Sequence, residues 1–144
     1  MRTVDTKEYL DNVRDMLSRG HTAIPVPVAG NSMCPFLHHG DTVFLDLPRR
    51  QLKKGDIVLF TRPSGRYVLH RISRVKEDGS FLLLGDNQMQ PEPVAANAVH
   101  ALVTTAIRKG KPVSPGSLIW WFYAHVWLWL TPQRRRIARL LKKR

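Results

Sequence analysis

The spacing of apolar residues changes twice along this chain. Tyr9, Leu10, Val13, Met16 and Leu17 recur at helical intervals, with Asp5 or Thr6 placed to cap the helix and Gly20 to end it. From residue 21 the pattern becomes that of strands. "TAIPVPV", "DTVFLDL", "DIVLFTR", "RYVLHRISRV", "SFLLLG" and "VHALVTTAI" are apolar or alternating runs, with turn signals "KKGD", "PSGR" and "EDGS" among them and "RKGK" after the last. No helical pattern separates these runs, which argues against a parallel α/β sheet. The expectation is a mainly β fold, a small coiled antiparallel sheet or β-ribbon barrel, with an N-terminal helix and C-terminal helices.

The second change comes at Pro112. "SPGSLIWWFYAHVWLWL" is apolar on every side of a helix and holds all four tryptophans, Trp120, Trp121, Trp127 and Trp129. Ser114-Pro115 and Thr131-Pro132 each fit a cap followed by a first turn, so two helices with a break are expected. The chain thus divides into an N-terminal helix (1–20), a β domain (21–111) and a helical appendage (112–144).

Charge sharpens the reading of the appendage. The net charge is +12, and seven of the basic residues fall in the last fourteen positions, which contain no acid. The apolar run from Leu118 to Leu130 would rise only about 20 Å against the roughly 30 Å of a hydrocarbon core, so a full span is not expected. Tryptophans at headgroup level, with the basic segment from Arg134 to Arg144 carrying Ile137, Leu140 and Leu141, suit an anionic membrane surface. The alternative is that the tryptophans cover an apolar face of the sheet. Specific nucleic-acid binding is not expected, because no helix-turn-helix pattern is present and the aromatics are not interleaved with the basic residues. The N-terminal "MRTVDTKEYLDNVRDML" is charged throughout and does not read as a signal peptide or span.

The candidate chemistry centres on "VAGNSMCPFL", where Ser32 follows a Gly-Asn pair. Such a serine is by default a turn residue, and it becomes a nucleophile only with a base to take its proton. His70, mid-strand in "YVLHRI" with Val68 and Ile72 on the same face, is one candidate base, although a satisfied core histidine has the same signature. In "GDNQMQPE", Asp86 or Glu92 can accept the other imidazole N–H, though "GDN" equally suits a tight turn. The single cysteine, Cys34, precludes an internal disulfide and is a rival nucleophile or a partly buried thiol. Adjacent His38 and His39 with Cys34 make a poor metal set, so neither metal nor cofactor is expected.

"GNSMCPFL", Gly40-Asp41, "LKKGDIVLF", "VLHRI" and "LLLGDNQ" together resemble, in order and spacing, the boxes of type I signal peptidases. The resemblance covers about residues 24–107 and is closer to the histidine-containing endoplasmic-reticulum, archaeal and sporulation-type subgroup than to serine-lysine enzymes. It implies a serine endopeptidase that cuts signal, leader or precursor peptides after small apolar residues. Ser32 matches the nucleophile, Met33 the pocket floor, and His70 the position of the bacterial lysine. Asp86 matches the orienting acid, with Glu92 as its rival. The Ser32 backbone N–H would bind the oxyanion; Gly30 stands where many relatives have a second, hydroxyl donor, leaving backbone or Asn31 to replace it. SOS-repressor relatives of this fold cleave themselves with a Ser-Lys dyad, which makes the Ala29–Gly30 bond a rival substrate. The lack of a visible N-terminal span favours a membrane-associated protein on the cytoplasmic face, with an extracytoplasmic catalytic domain as the alternative.

Overall fold

The computed structural model describes residues 3–142, with side chains from residue 7 onward. Helix α1, Thr3–Ser18, starts before Asp5 and Thr6, so neither is its cap. Its apolar stripe buries Leu10, Val13 and Leu17, whereas Tyr9 and Met16 sit at the edge of the stripe and stay partly exposed.

Eight strands follow: β1 Ile24–Pro27, β2 Thr42–Asp46, β3 Ile57–Thr61, β4 Tyr67–Val75, β5 Phe81–Leu84, β6 Glu92–Val94, β7 Val99–Arg108 and β8 Lys111–Val113. All pairings are antiparallel, in the order β1-β2-β7-β3-β4-β5-β6, with β8 also on β7. The expected mainly β, antiparallel class is therefore observed. β6 and β8 were not expected from the sequence. Each is three residues long with a central proline, and both pair on one side only, where the missing N–H is tolerated.

β3 explains how so short a chain carries two cores. Its residues Ile57 to Phe60 are all buried, because each face of the strand is covered. Ile57 and Leu59 join α1, Val26, Leu45 and Val103 in one core, while Val58 and Phe60 join Ile72, Phe81 and Leu83 in the other. A sheet coiled on itself buries both faces of its central strands, which removes the alternation a half-exposed strand would show. Bulges at Phe44/Leu45, Leu59/Phe60 and Ile72/Arg74 accompany the bending.

The appendage belongs to the first core. α2, Leu118–Trp121, continues through a π-helical stretch, Phe122–Trp127, and α3, Thr131–Lys142, follows the turn at Leu130. Ser117, rather than Ser114, caps α2 by accepting the Trp120 N–H. Trp120 and Tyr123 pack on Phe36, with ring centroids 5.4 and 5.1 Å away. Ala124 closes against Gly55, where an added Cβ would lie 2.7 Å from the Ala124 Cβ. No helix among the described residues is long and apolar enough to cross a membrane.

The tryptophans accordingly divide. Trp120 is buried and Trp127 half-buried, so these two cover the sheet and leave the expected membrane-facing set. Trp121 and Trp129 are exposed, as are Leu118, Ile137, Leu140 and Leu141. Lys143 and Arg144, the end of the expected basic segment, lie outside the described residues.

Candidate active site

Ser32 lies in a turn-rich loop between β1 and β2, held from both sides. The Val28 N–H donates to the Asp41 carbonyl (2.7 Å), the Gly40 N–H to the Val28 carbonyl (2.9 Å), and the Gly30 N–H to His39 Nδ1 (3.0 Å). Met33, Phe36 and Leu37 are buried and anchor the loop to the core. Ser32 itself is half-buried and faces a cavity of about 490 Å³. Val26, Val28, Met33, Val43, Leu45 and Leu59 make its apolar wall, and Ser32, His70 and Gln88 are among its polar lining.

His70 reaches this cavity from β4, paired with Val58 of β3. Its side chain is 1 % exposed and packs on the Phe60 ring. Burial lowers its pKa from 6.5 to about 4; the Glu92 carboxylate acts to raise it and the Arg62 guanidinium to lower it. The imidazole is thus neutral at pH 7, the form a general base requires.

The segment between β5 and β6 binds the two walls together. The Asn87 N–H donates to the Ser32 carbonyl (2.9 Å), and Gly85 fits between Ser32 and His70. A Cβ at Gly85 would stand 2.5 Å from the Ser32 carbonyl oxygen and 3.1 Å from His70 Nε2. Nε2 therefore faces the serine loop across Gly85, although no direct Ser32–His70 hydrogen bond is present among the described residues. Such bonds in ligand-free sites are commonly long and tighten with substrate.

The two candidate carboxylates, Asp86 and Glu92, lie in different surroundings. Both Asp86 oxygens accept from Arg71 (2.9 and 2.8 Å), and both side chains are wholly buried. Burial raises the Asp86 pKa, and the Arg71 charge acts against it. Strand alternation supplies the reason: Arg71 follows His70 in β4, so it projects to the opposite face and takes Asp86 with it. The carboxylate beside His70 belongs to Glu92, whose Oε1 lies 3.5 Å from Nδ1. Nδ1 itself is buried and makes no hydrogen bond, so Glu92 stands near it without bonding to it.

Arg71 also donates to the Gly55 carbonyl (2.9 Å) and lies 5.0 Å over the Phe36 ring. The appendage grips the same segment from behind. Trp127 Nε1–H donates to the Asp86 carbonyl (2.8 Å), and Arg135 donates twice to the Met89 carbonyl (3.0 and 2.6 Å). Sequence reasoning missed Arg71, Gln88 and these braces. A buried arginine next to the candidate base was the available signal for the first, since it must find a carboxylate.

With the coiled antiparallel sheet, the Ser32 loop and the paired walls described, comparison with family models decides the class. Residues 2–106 match the Peptidase S24-like model. The chain belongs to the Peptidase S24-like family. No curated protein and no solved structure matches it.

Of the other expected residues of this S24-like chain, Asn31 and Cys34 fall away from the cavity, whereas His39 lines it. Asn31 is exposed and outside its lining. Cys34 is a free, half-buried thiol that does not line the cavity, and its Sγ lies 3.8 Å from Asn31 Oδ1. His39 is a hydrogen-bond acceptor of the serine loop, and no metal-binding cluster occurs among the described residues.

Proposed function

We propose that this chain is a serine endopeptidase of signal-peptidase type, using Ser32 as nucleophile and His70 as general base. The observation that carries the reading is a neutral, buried His70 facing one side of an apolar cavity whose other side holds Ser32, with Gly85 between them. With Glu92 Oε1 3.5 Å from Nδ1, the tautomer protonated at Nδ1 is favoured and Nε2 is the nitrogen that takes the Ser32 proton. Ser32 Oγ attacks the scissile carbonyl, the Ser32 backbone N–H stabilises the oxyanion, and His70 returns the proton to the leaving amine. Met33 and the neighbouring valines favour small apolar side chains before the cut.

Self-cleavage at Ala29–Gly30 is disfavoured. That bond is two residues from Ser32 in a segment pinned by its hydrogen bonds to Gly40, Asp41 and His39, so it cannot fold back into the site. The substrate is instead a separate leader or precursor peptide. The exposed Trp121, Trp129, Ile137, Leu140 and Leu141, among the arginines of α3, bring the protein to an anionic membrane surface on the cytoplasmic face.

The test is incubation with a pool of small-residue leader peptides, read by mass spectrometry. Cleavage is expected from the wild type and from Cys34→Ser, and not from Ser32→Ala or His70→Ala. Cleavage that survives Ser32→Ala would remove the nucleophile assignment.

A further inference from the structure

Glu92 is poised beside His70 but does not hold it closely, and a third residue sets its position. Arg62 Nη2 donates to Glu92 Oε1 (2.8 Å) and Nε to Oε2 (3.2 Å), a two-point grip on the carboxylate. Oε1 is also the oxygen that stands 3.5 Å from His70 Nδ1. One oxygen thus faces both the guanidinium and the imidazole.

Arg62 is well fixed for this work. It starts the β3–β4 hairpin turn, where its N–H donates to the Arg66 carbonyl (2.9 Å) and its carbonyl accepts from the Gly65 N–H (2.8 Å). From there it crosses to Glu92 at the start of β6, a short edge strand. Arg62 and Glu92 are each about one-third exposed beside the wholly buried imidazole; Arg62 lines the Ser32 cavity, whereas Glu92 lies outside that lining.

We propose that Arg62 is a positioning residue: it aligns the Glu92 carboxylate on His70 Nδ1 and limits how strongly that carboxylate acts on the imidazole. The inference rests on the reading of His70 as the general base. Without Arg62, Glu92 is free to swing and its full charge acts on His70. The guanidinium repulsion of an imidazolium also disappears. The charged groups facing His70 are Glu92 from β6 and Arg62 from the hairpin. Arg71 and Asp86 neutralise each other on the opposite face of β4, and Arg66 lies further along the cavity.

The experiment is an NMR titration of His70 in the full chain, with cleavage kinetics on one peptide from the leader pool. Arg62→Gln should raise the pH at which His70 titrates, and Glu92→Gln should lower it; a merely structural arginine would give no such opposed shifts. Arg62→Gln should also lower kcat by roughly 10- to 100-fold with little change in KM, the signature of lost alignment. Arg62→Lys keeps the charge and should leave the titration near wild type while restoring part of kcat. An unmoved titration in Arg62→Gln overturns the proposal, as does a raised KM at unchanged kcat, which would make Arg62 a substrate contact. If the wild type cleaves no peptide, the peptidase reading fails, and the titration arm still decides whether Arg62 governs His70.

Discussion

At the scale of single residues, His70 carries a measurable cost. Its pKa is lowered to about 4 by burial, against 6.5 in the unfolded chain. Between those values the unfolded chain binds a proton on His70 that the folded chain refuses. The histidine's contribution to stability is therefore complete above about pH 6.5 and is lost as the pH falls toward 4, by up to about 3 kcal/mol. Urea unfolding at pH 7 and pH 4.5 should show that loss in the wild type, and a smaller one in His70→Gln. An equal loss in both would mean that other groups dominate the acid dependence. That Ser32 and His70 share one cavity was legible, because motif order and residue type both pointed to them. The choice between Asp86 and Glu92 was not, because spacing alone says nothing of what else competes for a carboxylate. Arg71 engages both Asp86 oxygens from the other face of the same strand, which leaves Glu92 as the carboxylate beside His70.

At the scale of elements, the segment between β5 and β6 does more than turn the chain. It touches Ser32 through Asn87, passes between Ser32 and His70 at Gly85, and delivers Glu92 at the start of β6. Gly85→Ala should therefore remove cleavage while leaving the fold intact, because the Ser32 carbonyl and the imidazole must part to admit a methyl group. Overpacking of this kind costs about 1–3 kcal/mol. Circular dichroism and cleavage measured together check this; a fully active Gly85→Ala would contradict the close approach. The helices and six of the eight strands were readable from periodicity and turn residues. β6 and β8 were not, since "EPV" and "KPV" are too short to show a period and hold proline. The role of the appendage was also hidden. A segment apolar on all sides does not reveal which side is buried, and only packing against Phe36 and Gly55 assigns Trp120 and Ala124 inward.

At the scale of the whole molecule, the appendage links the proposed membrane surface to the site. Trp127 and Arg135 hold the carbonyls of Asp86 and Met89, while Trp121, Trp129 and the apolar residues of α3 stay exposed. Anionic vesicles should bind the protein more tightly than zwitterionic ones, with a blue shift of tryptophan fluorescence. The binding should weaken with salt and in a Trp121→Ala/Trp129→Ala variant. Equal, negligible binding to both vesicle types would remove the membrane reading without touching the peptidase one.

The central claim is that Ser32 and His70 act as one catalytic unit, and its most direct test is a double-variant cycle on a single cleaved peptide. Residues that share one step are not additive: Ser32→Ala and His70→Ala should each lower kcat/KM by roughly 1,000-fold or more, and the double variant should be hardly worse than either. Independent, multiplying losses, or cleavage retained in Ser32→Ala, would contradict the account.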